Sequence, residues 1–287
     1  MAPQMIGLVA HVGKQGAAEL LAYLIERFET AGRIVGIEEA TARLLGREGT
    51  PLRDLAAASG LLVVLGGDGS LLRTVHRLDG SAPPVFGINL GSLGFLTCFS
   101  SQERDRAADA ILSGHFALSA RSLIGVEVVR DGGRAASVVG LNEAVVSRGQ
   151  HSRLVQIDTR IDGHLLTRYN ADGLIIATPT GSTAYALSAG GPIVAPDASV
   201  FVINPVCPHV LTNRATLVPD ASEIELTVCA GEEEVLLTVD GHAVTPLLGG
   251  DRVVIRKSPR AIRLAMPEGS SFFDLLRQKL KWSGTNV

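Results

Sequence analysis

The chain has 287 residues, of which 46% are hydrophobic and 4% aromatic, and its formal net charge at pH 7 is −3. This length allows two domains with sizeable cores, and the abundance of Ala, Leu, Val and Gly is typical of an α/β protein. The balanced charge excludes a basic nucleic-acid-binding protein, and no apolar run is long enough to span a membrane, so neither nucleic acid nor a membrane is an expected partner.

The first third of the chain alternates short apolar runs with helical patterns. Residues 1–16 lack the basic flank and long apolar core of a signal peptide, which predicts a cytoplasmic protein. Strands are predicted at 5–10, 33–37, 61–65 and 85–89, and helices at 17–28, 53–59, 71–77 and 103–112. Strand–helix alternation of this kind predicts a parallel sheet covered by helices.

From about residue 116 the sequence changes to short strands separated by Asp-Gly and Gly-Gly turns. Strands are predicted at 126–130, 154–161, 174–177, 201–203, 224–228, 235–239, 253–256 and 262–264, with one helix at about 182–189. We therefore predict an α/β N-terminal domain with a parallel sheet over residues 1–116 and a β-rich domain over residues 117–265. The amphipathic segment 270–282 predicts a helix that returns to the first domain, so residues 266–287 are assigned there.

Cysteine and histidine spacing predicts no protein-built metal site. Cys98, Cys207 and Cys229 are far apart and match no zinc-binding spacing, which suggests free thiols in a reducing compartment. The seven histidines form no HxxxH or HExxH arrangement.

The segment GLVAHVGK at residues 7–14 has the outline of a phosphate-binding P-loop. It has five residues rather than four between its glycines, and Gln15 follows the lysine in place of Ser or Thr. We therefore interpret Lys14 as a solvated lysine in a strand-to-helix turn.

The sequence GGDGS, from Gly66 to Ser70, follows a buried apolar run and is the first candidate site. Glycines permit positive φ and let backbone N–H groups approach a ligand, and a helix starting just beyond would direct its N-terminus at phosphate. Asp68 would stand at the carboxyl end of a strand, where open α/β sheets bind ligands. The alternative is that Asp68 only N-caps the helix. Three glycines around one acid favour a functional role.

Two later stretches are further candidates. Asn142 and Glu143 interrupt a strand-like run, and the residues leave open a hydrogen-bonded pair at a bulge or a pair that binds ligand hydroxyls. Residues 172–185 join an acid, a buried strand, a Pro/Gly turn with four hydroxyls and a helix start. Because capping needs only one hydroxyl, this stretch predicts a binding surface for a nucleotide-like ligand. His242, after an Asp-Gly pair, is either a turn residue or a ligand contact.

In combination these motifs resemble the bacterial NAD kinase family. GGDGS (66–70), NLGSLGFL (89–96), LNE (141–143), DGLIIATPTGSTAYALSAGGPIV (172–194) and CPHVLTNR (207–214) occur in the order of that family. The resemblance covers roughly residues 60–280. It implies transfer of the γ-phosphoryl group of ATP, or of polyphosphate in some members, to the 2′-hydroxyl of the adenosine ribose of NAD, giving NADP.

The family also implies an NAD kinase/diacylglycerol kinase-like fold and assembly as a homodimer or homotetramer. Mg²⁺ or another divalent cation is required, and we expect it to arrive with ATP because no side-chain cluster suited to Mg²⁺ is evident.

The resemblance also assigns roles to individual residues, with Asp68 as the general base. It implies NAD or nucleotide contacts for Gly69, Arg73, Phe95, Asn142, Glu143 and Asp172. The segment expected to surround adenine and ribose is Thr183, Ala184, Tyr185, Ala186, Leu187 and Ser188. Contact positions that vary more within the family are Arg153, Asn170 and His242.

Two other functions stay open at the level of sequence. A lipid or sugar kinase shares the GGDGS turn, but it needs an apolar acceptor groove or a basic sugar-phosphate site. A sensor that binds NAD or NADP without turnover would tolerate the loss of Asp68.

Overall fold

The computed structural model describes residues 3–91, 94–149, 154–210, 212–229 and 234–282. The α-helices are α1 (Ala17–Thr30), α2 (Glu39–Ala42), α3 (Leu52–Ala58), α4 (Asp68–Arg77), α5 (Arg104–Ser113), α6 (Tyr185–Ser188) and α7 (Phe272–Leu280). The strands are β1 (Met5–Ala10), β2 (Ile34–Ile37), β3 (Leu61–Gly66), β4 (Val85–Asn89), β5 (Phe99–Ser100), β6 (Phe116–Arg130), β7 (Gly133–Gly140), β8 (Glu143–Arg148), β9 (Val155–Ile161), β10 (His164–Ala171), β11 (Gly173–Ala177), β12 (Val200–Val206), β13 (Thr216–Pro219), β14 (Ile224–Val228), β15 (Val235–Val239), β16 (His242–Leu247) and β17 (Arg252–Pro267). Within the described ranges, no helix combines the length and apolar character needed to cross a membrane.

The chain divides into a first unit, residues 1–120 with 262–287, and a second unit, residues 121–261. In the first unit the parallel strands follow the order β17-β4-β3-β1-β2, with β17 contributing Leu264 opposite Val85. Every residue of β3 and β4 is buried. Helices α1 and α5 share one apolar core with the sheet, and α3 and α4 contact β1 and β3. Strands covered by helices in this way need apolar residues at every position, which explains the continuous run of β3.

The second unit is built from antiparallel strands. One sheet has the order β13-β12-β11-β8-β15-β16, a second group has the order β10-β9-β14-β17, and β6 pairs with β7. Inward and outward residues alternate, as at Ile224, Leu226 and Val228 of β14, which point into the core. The predicted fold class, an α/β domain with a parallel sheet followed by a β-rich domain, is confirmed.

Several elements differ from the sequence prediction, among them the unpredicted strands β5, β7, β10, β13 and β16. β17 is one continuous strand, whereas two short strands were predicted at 253–256 and 262–264. The Lys, Pro and Arg residues between them have low strand propensity, but pairing with neighbouring strands overrides that local preference. Helix α2 was missed because its four residues are too few to show a helical period.

Candidate active site

The GGDGS turn joins β3 to α4 in the first unit. Gly67 is the N-cap of α4, and the helix begins at Asp68 rather than at Leu71 as predicted. The alternative that Asp68 is the N-cap is therefore wrong. Its carboxylate lies in the first helical turn, where the helix dipole favours negative charge.

The glycines of this turn provide space rather than unusual backbone angles. None of Gly66, Gly67 and Gly69 has a positive φ, so that part of the prediction is wrong. A Cβ on Gly66 would lie 2.2 Å from Oγ and 2.5 Å from Cβ of Ser70, so the Ser70 side chain would have to move. Among the described residues, a Cβ on Gly69 would meet no atom within 4 Å apart from its chain neighbours and the backbone of its own helix. Gly66 thus makes room for Ser70, whereas exposed Gly69 leaves space beside Asp68 that no described residue fills.

The carboxylate of Asp68 is held by the segment that follows β4. Its Oδ2 accepts the backbone N–H of Phe95 at 2.7 Å, and its Oδ1 accepts that of Leu96 at 3.1 Å. Thr97 donates its hydroxyl to Oδ1 at 3.4 Å. The motif at 89–96, weak on its own in the sequence, therefore positions the acid of the first motif.

Gly94 is the closest neighbour of that carboxylate. A Cβ at this position would lie 1.7 Å from Oδ1 of Asp68, so only glycine fits. The backbone N–H of Gly94 donates to Oγ1 of Thr97 at 3.0 Å, and Nδ2 of Asn89 donates to the same oxygen at 3.1 Å. The missing side chain of Gly94 lets this segment approach Asp68, and the hydrogen bonds of the Thr97 hydroxyl hold it there.

The structure brings Lys14 to the same turn. Its half-buried side chain places Nζ 3.2 Å from the position of a Cβ on Gly67 and 4.0 Å from that of a Cβ on Gly91. The predicted strand-to-helix turn is confirmed, but the side chain of Lys14 is half-buried rather than fully solvated. The missed signal is that Lys14 follows β1, which is parallel to β3 and ends at the same edge of the sheet.

Asn142 and Glu143 lie at the start of β8 in the second unit, and both are buried. Asp240 organises them: its carboxylate accepts the backbone N–H groups of Leu141 at 2.7 Å, Asn142 at 2.7 Å and Glu143 at 3.1 Å. Sequence reasoning treated Asp240 only as part of a turn. Its role depends on a contact between β15 and β8 that no local pattern reveals.

The turn after β11 packs directly on this pair. Thr178 donates its backbone N–H to the carbonyl of Asn142 at 2.8 Å. A Cβ on Gly181 would lie 2.1 Å from the same carbonyl oxygen, so glycine is required for this approach. Two separate motifs of the sequence are therefore one site.

Most hydroxyls of this turn stabilise the protein itself. Thr178 donates to the carbonyl of Leu141 at 2.6 Å, Ser182 to that of Pro179 at 2.7 Å and Thr183 to that of Thr180 at 3.2 Å. Three of the four hydroxyls therefore donate to carbonyls of the protein itself, and the expectation of a ligand-binding surface at this turn stays a prediction. The fourth, Oγ1 of Thr180, is buried without a hydrogen-bond partner among the described residues.

The helix predicted at 182–189 is interrupted. A 3-10 turn spans Gly181–Thr183, and α6 begins only after Ala184, whose φ of −99° and ψ of −127° are not helical. Ser182 also accepts the backbone N–H of Val194 at 3.0 Å, which holds the turn away from a regular helix.

Residues of the predicted adenine and ribose segment differ in accessibility. The side chain of Tyr185 is 45% exposed, and Ser188 is exposed. Ala186 is fully buried among the apolar residues of this unit, so its side chain offers no surface to a ligand. Thr183, Ala184 and Leu187 are half-buried.

The remaining predicted contacts are dispersed. Asp172 forms an ion pair with Arg148, with Nε and Oδ1 2.7 Å apart. Asn170 lies in β10, His242 is exposed at the start of β16, and Arg73 is exposed on α4. Arg153 lies outside the described residues.

The buried carboxyl of Glu143 is expected to make stability pH-dependent. Burial, and then the charge of Asp240, raise its pKa to about 8 despite a hydrogen bond from the backbone of Tyr185. Its Oε2 has no hydrogen-bond partner among the described residues. Because the folded pKa exceeds the unfolded value of about 4.3, this group stabilises fully at low pH, and that contribution is lost as pH rises towards 8.

Glu143→Gln keeps the shape of the neutral carboxyl and removes its titration. The unliganded variant should therefore lose less Tm than the wild-type protein between pH 6 and pH 9, as measured by thermal unfolding. Parallel Tm curves for the two proteins would contradict the raised pKa.

The described residues contain no group of three or more His, Cys, Asp or Glu placed to hold a metal ion. The cysteines Cys98, Cys207 and Cys229 are free.

Comparison with known proteins places this geometry in a family. Residues 6–116 match the ATP-NAD kinase N-terminal domain, and residues 141–266 match the ATP-NAD kinase C-terminal domain. The NAD kinase of Solibacter usitatus is 41% identical over 277 residues, covering 96% of both chains. The NAD kinase of Geobacter metallireducens is 42% identical over 267 residues, covering 93% of both.

Solved structures of similar fold also belong to NAD or NADH kinases. Yeast NADH kinase complexed with NADH has a TM-score of 0.90 at 26% identity, covering 100% of this chain and 90% of that one. An NAD kinase from Archaeoglobus fulgidus in complex with ATP has a TM-score of 0.75 at 25% identity, covering 98% and 100%. Both family domains, relatives of matching length and the same fold lead to one conclusion: the chain belongs to the NAD kinase family.

Proposed function

We propose that this protein transfers the γ-phosphoryl group of ATP to the 2′-hydroxyl of the adenosine ribose of NAD, with Asp68 as general base. The observation that carries the proposal is the carboxylate of Asp68, held by backbone N–H groups beside the open space at Gly69. Phosphoryl transfer depends mainly on positioning and on charge, and a ribose hydroxyl needs a base within hydrogen-bond reach.

The carboxylate retains capacity to accept a proton. Among the described residues its Oδ2 receives one hydrogen bond, from Phe95, and a carboxylate oxygen can accept two. In the proposed step the 2′-oxygen bonds to the γ-phosphorus, the bond from that phosphorus to the β,γ-bridging oxygen breaks, and ADP leaves. The hydroxyl proton passes to Asp68.

The acceptor is proposed to bind through the second unit, with Asn142, Glu143 and residues 183–188 as contacts. A carboxyl that is protonated near neutral pH can both donate and accept, as a ribose diol requires, and the pKa of Glu143, raised by burial and Asp240, fits this role. The NADH complex of the yeast relative and the ATP complex of the archaeal one support the two ligand classes.

Mg²⁺ or another divalent cation is proposed to enter with ATP, where it offsets phosphate charge. Assembly as a homodimer or homotetramer and a cytoplasmic location stay predictions. A lipid or sugar kinase is not favoured, because the relatives that match nearly the whole chain are NAD kinases.

The direct experiment incubates the purified protein with NAD, Mg²⁺ and either ATP or polyphosphate and assays NADP. NADP is expected with ATP, and a parallel reaction with NADH measures acceptor choice. Absence of product with either donor, together with measurable NAD binding, would favour the non-catalytic sensor instead.

A further inference from the structure

We propose that Lys14 binds the β- and γ-phosphates of the donor at the turn between β3 and α4. This inference rests on the proposed function, since it assigns a donor-binding residue to the same site. The motif comparison of the sequence assigned no role to Lys14.

The backbone after β1 directs Lys14 towards that turn. His11 donates its backbone N–H to the carbonyl of Leu65 at 2.8 Å, so the chain stays beside β3 beyond the end of β1. The N–H of Lys14 then donates to the carbonyl of His11 at 3.1 Å, which closes a turn. Gly16, with a φ of 79°, completes the reversal into α1. These local hydrogen bonds thus place Lys14 close to Gly67 and Gly91.

The ammonium group of Lys14 lies close to the backbone at Gly67 and Gly91. It lies 3.2 Å from where a Cβ on Gly67 would be and 4.0 Å from where one on Gly91 would be. Larger residues at either position would compete for that space. Glycines therefore keep the ammonium group close to the backbone at the start of α4.

The charge of Lys14 is uncompensated. Within the described ranges it has no hydrogen-bond or ion-pair partner for its ammonium group. Arg77 of α4, by contrast, is paired with buried Glu38, with Nη2 and Oε1 2.9 Å apart. A cation without a protein partner is available to pair with an anionic ligand.

Phosphate is the anion that this arrangement fits. The first N–H groups of a helix attract negative charge, and here they belong to Asp68 and Gly69. Phosphate oxygens between these groups and Nζ of Lys14 would place the γ-phosphorus beside the proposed base. Lys14 would then offset charge on the transferred group and on the departing ADP.

The experiment measures nucleotide binding and turnover for Lys14→Met and Lys14→Arg. Calorimetry with Mg²⁺ and AMP-PNP, ADP or AMP is done without NAD. Lys14→Met should weaken AMP-PNP binding by roughly 10- to 100-fold, the range of hydrogen bonds to charged groups, and leave AMP binding within about twofold. Lys14→Arg should recover most of the loss, because it restores the charge.

The matched control is Lys279→Met, which removes a half-buried lysine on α7 of the same unit. It should bind all three nucleotides like the wild-type protein. Lys14→Met should keep the wild-type Tm, since its ammonium group makes no hydrogen bond or ion pair with the described residues.

The outcomes separate this inference from the proposed function. If the wild-type protein makes NADP and Lys14→Met has an unchanged KM for ATP and unchanged AMP-PNP affinity, the inference is wrong and the function stands. If the wild-type protein makes no NADP but AMP-PNP affinity depends on Lys14, the function is wrong and the phosphate-binding role stands. If the wild-type protein does not bind AMP-PNP, both are wrong.

Discussion

Asp68→Asn is expected to lower kcat for NADP formation by roughly 10²- to 10⁴-fold, the usual contribution of a positioned base. Asparagine keeps one oxygen that can accept a hydrogen bond from Phe95 or Leu96, but it cannot take the proton of the 2′-hydroxyl. The effect should therefore lie in kcat, with the KM for NAD within about threefold of the wild-type value.

Steady-state kinetics with each substrate varied, together with Tm, test this prediction. The control is Asp54→Asn, which removes another acid from the first turn of a helix, α3, in the same unit. It should retain wild-type turnover. A kcat of Asp68→Asn within tenfold of the wild-type value would contradict the assignment of Asp68 as general base.

Gly94→Ala is expected to disable the site through Asp68 without touching a reacting atom. The added Cβ would lie 1.7 Å from Oδ1 and 2.2 Å from Cγ of Asp68, so either the carboxylate or the segment 94–97 must move. Overpacking of this kind destabilises by about 1–3 kcal/mol. Because displacement of a catalytic group by about 1 Å can cost on the order of 10²-fold in rate, kcat should fall by at least that much.

Thermal unfolding and kinetics together measure the two effects. Gly91→Ala is the control for stability, because among the described residues other than its chain neighbours its Cβ would come no closer than 3.7 Å to an atom, and its Tm should stay near wild type. If Gly94 acts through Asp68, the kcat losses of Gly94→Ala and Asp68→Asn should be far from additive in the double variant. Additive losses, or an unchanged Tm for Gly94→Ala, would show that the clash is relieved elsewhere.

Local patterns sufficed for the framework. The run at 61–65, the turn GGDGS and the strand at 85–89 were predictable because apolar runs, glycine and strand propensity act on neighbouring residues. Near residue 116 the pattern changes from alternating strands and helices to short strands with a period of two. That change predicted a β-rich second half, again from interactions between neighbouring residues. The order of the motifs was enough to recognise the NAD kinase family.

The same local patterns did not determine what individual residues do. The sequence showed that the glycines of GGDGS permit positive φ and that the hydroxyls at 178–183 exceed what capping needs. Tertiary contacts show what they do within the protein: a Cβ on Gly66 would clash with Ser70, and three of the hydroxyls donate to backbone carbonyls. A residue type shows which interactions are possible, but only its neighbours in space show which are made.

By itself, then, the sequence determined the fold class and the family and identified Asp68 as the candidate base, since these depend on local patterns and on the order of motifs along the chain. Only the tertiary structure decided that Phe95 and Leu96 hold that acid, that Asp240 organises Asn142 and Glu143, and that Lys14 lies over the glycine turn. The physical reason is strand pairing. The parallel registers of β1, β3 and β4 and the antiparallel register of β8 and β15 bring these distant residues together, and no period or spacing within one segment encodes those registers.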